Sequence, residues 1–137
     1  MVAMLKERRL CEQPLAVLGL TDAALAEATA QRLRSQGWQV LLAGTAAEVR
    51  RVSARMAPTI VVLDVDPPDE SGWLACAKLQ KLRRRPRVIL VDHDAHPMRD
   101  DFAQFVGAAG RVSGIVTPQP LADLVIDLAP LSVAPRS

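Results

Sequence analysis

Short, continuously apolar runs alternate with stretches of helical period five times along the chain. Leu15–Leu20, Gln39–Ala43, Thr59–Val65, Val88–Val91 and Val112–Val116 have the length and evenness of strands buried on both faces. The β-branched density of Thr59–Val65 marks it as the central one. Between these runs the period changes to that of a helix. Thr21 is placed to cap a helix carrying Leu25, Ala28 and Leu33 and stopping at Gly37. Thr45-Ala46-Ala47-Glu48 is a capping box followed by Val49, Val52 and Met56, with Pro58 closing the helix. After a Pro-rich loop, Leu74, Ala77 and the Leu79/Leu82 pair predict a third helix. Pro97 opens a fourth with Met98, Phe102, Phe105 and Val106 on one face, and Pro120 opens a fifth with Leu121, Leu124, Val125 and Leu128.

Five strand–helix units with apolar strands predict an α/β fold: a doubly wound parallel sheet with helices on both faces. The expected domain runs from 14 to 129, with tails at 1–13 and 130–137. Open sheets of this kind bind ligands beyond the carboxyl ends of their strands. The residues there are Thr21 and Asp22, Asp64 to Asp69, Asp92 to His96, and Thr117 with Pro118.

Composition narrows the class. Half of the residues are apolar and 23% are charged, the balance of a globular domain, and 137 residues suit one core. Trp38, Trp73, Phe102 and Phe105 are all the aromatics, so the core must be aliphatic. A formal charge of +2 is too small to argue for nucleic acid. Leu15–Leu20 and Ile60–Leu63, the longest apolar runs, are too short to cross a bilayer. Met1 to Gln13 holds Lys6, Glu7, Arg8 and Arg9 and no apolar h-region, which argues against a secretory signal. Cys11 and Cys76 lack metal or redox spacing and read as reduced thiols, so a cytoplasmic protein is expected.

The segment Ile60-Val61-Val62-Leu63-Asp64-Val65-Asp66-Pro67-Pro68-Asp69-Glu70-Ser71-Gly72 resembles the centre of response-regulator receiver domains. In that family the third strand ends in the phosphoacceptor Asp, with a Pro four residues on and a Gly eight residues on. Asp64, Pro68 and Gly72 match. The Gly107-Ala108-Ala109-Gly110 run and the Thr117-Pro118 pair fall in register, so the likeness spans about Leu15 to Leu128. It implies a flavodoxin-like sheet of order 2-1-3-4-5, with Asp64 as the candidate phosphoacceptor and Pro68, Gly72 and Pro118 as structural positions.

The family neutralises its phosphoryl group with a divalent cation, held by an acidic pair after the first strand and by the acceptor Asp. It adds a Lys after the fifth strand, a Ser or Thr after the fourth, and an aromatic on the fifth. Here the acidic pair falls on Leu20-Thr21, or on Thr21-Asp22 with a slip of one. The Thr position is Asp92, the Lys position Thr117 and the aromatic position Gly114. These departures remove charges that make phosphoryl transfer fast. The expectation is a non-enzymatic, stand-alone, atypical receiver acting through protein–protein contact without standard phosphorylation. Its partners would be a histidine kinase, another regulator or itself as a homodimer, with neither membrane nor nucleic acid. No cofactor is expected unless Asp22, Asp64 and Asp66 form a rearranged magnesium site. The alternative is a single-domain regulator that accepts phosphate on Asp64 from a histidine kinase.

Other features admit less specific chemistry. His93 and His96 lie near the acids but lack a fixed third ligand, so they read as loop residues rather than a transition-metal site. Asp64-Val65-Asp66 is similar to the nucleophile motif of haloacid-dehalogenase-type phosphatases. That motif continues Gly-Thr and starts its fold, unlike Pro67-Pro68 on a third strand. Lys81 to Arg87 is a basic run, read as a solvated face. Phe102, Phe105, Ile115, Leu121 and Leu124 mark the region that receivers use for docking, most of it needed for the core.

Overall fold

The three central strands of the sheet are nearly wholly apolar and buried because helices cover both of its faces. The computed structural model describes residues 13–66, 70–93, 104 and 106–129. The element order is β1 (Leu15–Gly19), α1 (Ala23–Ser35), β2 (Gln39–Leu42), α2 (Ala46–Met56), β3 (Ile60–Asp64), α3 (Gly72–Leu79), β4 (Arg87–Asp92), β5 (Gly110–Ser113) and α4 (Pro118–Leu128). All strand pairs are parallel, in the order β2-β1-β3-β4-β5. The expected doubly wound sheet and its strand order are therefore both found. The helix expected from Pro97, with Met98, Phe102 and Phe105, lies outside the described residues, as do Cys11, Pro68, His96 and nearly all of both tails.

Alternate strand positions feed opposite faces. Ala16, Leu18, Ile60, Val62, Ile89 and Val91 pack beneath α1 and α4, against Leu25, Leu33, Leu121 and Val125. Val17, Val61, Leu63, Val88 and Leu90 pack beneath α2 and α3, against Val49, Ala75, Cys76 and Leu79. Among the described residues, no helix is long and apolar enough to cross a membrane.

Local chemistry sets the helix starts. The Thr45 hydroxyl accepts from the Glu48 amide, and the Glu48 carboxylate accepts from the Gly44 amide, closing a box around the start of α2. Ser71 caps α3 through the Trp73 amide. Gly72 follows it, and a Cβ there would overlap the carbonyl oxygen of Asp64. Only a glycine lets the third helix begin this close to the end of the central strand.

Four expectations need correction. Asp22, not Thr21, caps α1, because its carboxylate accepts from the Leu25 amide. The third helix buries Ala75, Cys76 and Leu79 and ends at Leu79, leaving Leu74 49% exposed; its small residues let the helix approach the sheet. The last helix opens at Pro118 rather than Pro120, with Pro118 in its first turn. The fifth strand is Gly110–Ser113 rather than Val112–Val116. Gly114 takes φ +82 and turns the chain out of the sheet, which leaves Ile115 96% exposed despite its strand-like composition.

Candidate functional site

Two carboxylates stand at the carboxyl ends of neighbouring strands. Asp64 closes β3, where it lies opposite Val91 of β4, and Asp92 closes β4, opposite Ser113 of β5. They are 2% and 1% exposed. A carboxylate this deep must be paired or hydrogen-bonded. The two meet that demand differently.

Asp64 is held by a neutral residue. Its Oδ2 accepts from the backbone amide and from the hydroxyl of Thr21, each at 2.6 Å. This use of the hydroxyl is why Thr21 does not cap α1. The other oxygen, Oδ1, is buried without a hydrogen-bond partner among the described residues. His93 Nε2 lies 3.6 Å from it, an ion-pair distance only when that ring is protonated and too long for a hydrogen bond. Gly72 packs on the backbone of Asp64 from the far side, and its amide donates to Val65 O at 2.7 Å.

Asp92 is held by a cation. Arg111 projects from β5, with Nη1 3.2 Å from Asp92 Oδ2, and the two side chains are 8% and 1% exposed. The Asp92 carbonyl accepts from the Gly114 amide, which fixes the strand end beside the turn. Asp92 therefore carries its own counter-charge at the rim. Sequence reasoning missed Arg111 because the fifth strand was placed too late along the chain. The available signal was a lone basic residue between the small and apolar residues of Gly110-Arg111-Val112.

The other candidates do not converge here. Asp22 turns to its helix cap and Asp66 is exposed. Thr117 occupies the N-cap of α4 without a side-chain cap bond, and Gly114 lies beyond β5 rather than within it. A hard divalent cation needs several convergent oxygens. Among the described residues no three acidic, His or Cys side chains are grouped to supply them. Cys76 is a free, fully buried thiol on α3, pushed up to about 12 by burial, and takes no part in this site.

No family model matches the chain. A curated protein of Mycobacterium tuberculosis, named "Probable transcriptional regulatory protein TcrX", is 39% identical over 74 residues, 53% of this chain. The matched stretch spans 32% of that protein's length. Among solved structures, the chain is similar to a CheY-like response regulator receiver domain protein from Methanospirillum hungatei. That match has TM-score 0.76 at 24% identity, over 84% of this chain and 92% of that one. The chemotaxis response regulator CheY4 of Vibrio cholerae superposes at TM-score 0.77 and 14% identity, over 85% and 98% of the two chains. The non-phosphorylated HemR receiver domain of Leptospira biflexa gives 0.77 at 19%, over 91% and 98%. In sheet order the chain shares the fold of these receiver domains, and its central strand ends in a buried aspartate.

Proposed function

We propose that the chain is a signalling receiver domain that works by protein–protein contact, with its switch region set by fixed internal bonds instead of by phosphorylation. The observation that carries this reading is the buried Asp92–Arg111 pair. Asp92 stands where the resembled family keeps a hydroxyl, and Arg111 reaches it from β5. A phosphoryl group on Asp64 would bring about −1.5 to −2 charges beside the Asp92 carboxylate. Arg111, the cation at these strand ends, is already engaged by Asp92. Freeing it would break a buried ion pair, at a cost of up to about 3–5 kcal/mol. No metal and no catalytic turnover are required by this reading. A cytoplasmic location goes with it, as do a histidine kinase, another regulator or a second copy as partners. The likeness to a transcriptional regulatory protein supports a role on the regulator side of such a pathway.

The test is incubation with acetyl phosphate or beryllium fluoride, with and without magnesium, followed by intact mass and by the fluorescence of Trp73, which Ser71 positions at the start of α3. No adduct and no fluorescence change are expected. A stoichiometric, magnesium-dependent adduct that disappears in Asp64→Asn would sink the proposal.

One observation favours the second reading, in which Asp64 accepts phosphate. Its Oδ1 is buried and lacks a hydrogen-bond partner among the described residues, and it faces the imidazole of His93. A phosphoacceptor needs one such uncommitted oxygen. The same experiment separates the two readings.

A further inference from the structure

Between α2 and α3 runs an open groove of about 450 Å³, within the size range of binding pockets. Its floor is aliphatic, made by Ala47, Ala54, Leu79 and Leu82, and its rim is cationic, made by Arg50, Arg51 and Lys78. It shares no residue with the Asp64 and Asp92 site. Leu74, one turn before Lys78 on α3, extends the apolar surface at 49% exposure.

Much of the positive charge beside the groove has no side-chain partner among the described residues. The Arg51 side chain has no hydrogen bond or ion pair among the described residues. The same holds for the side chains of Lys81 and Arg83, which flank Leu82 in the chain, and of Arg84, Arg85 and Arg87 beyond them. All six are exposed. Arg50 and Lys78 do have a partner, and it shows what the rim recognises. The Glu70 carboxylate lies between them, 2.8 Å from Arg50 Nε and 3.3 Å from Lys78 Nζ.

We propose that this groove docks an acidic, amphipathic segment of a partner protein, with aliphatic side chains on the floor and carboxylates against Arg51 and the Lys81–Arg87 run. The floor selects the class of partner. Single-stranded nucleic acid draws affinity from bases stacked on aromatic side chains, and among the described residues no ring lines this groove. A lipid surface cannot follow a concave site whose apolar floor lies between two helices. A small free anion would leave that floor in water. The proposal does not depend on how Asp64 behaves.

Selection from a random peptide display library on the full chain, followed by titration of the synthetic consensus peptide, tests it. Peptides with aliphatic residues flanked by Asp or Glu should be enriched. Their affinity should fall at least tenfold on replacing those acids by Gln, and likewise in Arg51→Glu and Ala54→Glu. Both positions are exposed on α2, and circular dichroism would verify folding. Arg51→Lys should retain most of the binding, and Asp64→Asn all of it. Failure to enrich acidic peptides would overturn the proposal. Equal binding by Arg51→Glu and Ala54→Glu would do the same, as would tighter binding of a single-stranded oligonucleotide at the same residues.

Discussion

Asp64 and Asp92 end adjacent strands at nearly equal depth, yet the fold secures one with a hydroxyl and an amide and the other with a guanidinium. The contrast separates two jobs. Asp92 and Arg111 tie β4 to β5 through a compensated charge, so their contribution is architectural. Among the described residues Asp64 is oriented through one oxygen only and keeps the other uncommitted, an arrangement that costs stability and is therefore informative about function. Replacing Arg111 breaks the comparison most severely. Arg111→Met removes the guanidinium from the buried Asp92 carboxylate, and chemical denaturation should register a loss of up to about 3–5 kcal/mol. Combining it with Asp92→Leu should restore most of that loss, because an apolar pair of similar volume avoids the desolvation penalty. If the double variant were no more stable than the single one, the pair would not be the source of the effect.

A smaller change isolates the other carboxylate. Thr21→Val keeps shape and removes the hydroxyl donor to Asp64 Oδ2, while the Thr21 amide still donates. A hydrogen bond to a charged group contributes about 1.5–3 kcal/mol, and urea unfolding should show a loss in that range. Thr21→Ser, which retains the donor, should recover much of it. A loss equal to that of Arg111→Met would mean that the two sites are secured alike.

Cys76 shows a third way to bury an ionisable group, which is to keep it neutral. Its thiol is pushed by burial from an ordinary 9.0 up to about 12. The folded thiol therefore holds its proton where the unfolded one releases it. Stability should be complete below about pH 9 and fall as pH rises toward about 12, by up to about 1.4 kcal/mol for each pH unit in that window. Comparing unfolding free energies at about pH 8 and about pH 10 in the wild type and in Cys76→Ala isolates this contribution. The alkaline loss should shrink in the variant, although the variant starts lower because of its cavity.

Much of this was legible in the chain. Continuous apolar runs such as Ile60–Leu63 can be buried on both faces only in a sheet covered by helices, so the α/β class follows from pattern alone. The strand order came from the resemblance carried by Asp64, Pro68 and Gly72, and the observed sheet has it. Pattern failed where tertiary demand outweighed local preference. Ile115-Val116-Thr117 has the composition of a strand, but the positive φ of Gly114 has already turned the chain away. Thr21 and Asp22 are both good caps, and the choice between them was decided by Asp64, 43 residues distant. The Asp92–Arg111 pair joins residues 19 apart on different strands. Without the correct end for β5, no spacing rule could bring them together.

The smallest expected effect comes from the exposed counterpart of the buried pair. Glu70 bridges Arg50 and Lys78 at 2.8 and 3.3 Å, distances comparable with that between Arg111 and Asp92. Here the side chains are 32%, 44% and 18% exposed for Arg50, Lys78 and Glu70, against 8% and 1% for the buried pair. Water and salt screen charges in this setting, and holding three long side chains together costs rotamer entropy that offsets the attraction. Glu70→Gln should therefore cost less than about 1 kcal/mol, and the difference from wild type should shrink further at high salt. The Arg111→Met penalty should be nearly independent of salt, because ions do not reach Asp92. If Glu70→Gln cost as much as Arg111→Met, burial would not be what distinguishes the pairs, and the architectural role assigned to Asp92 and Arg111 would have to be given up.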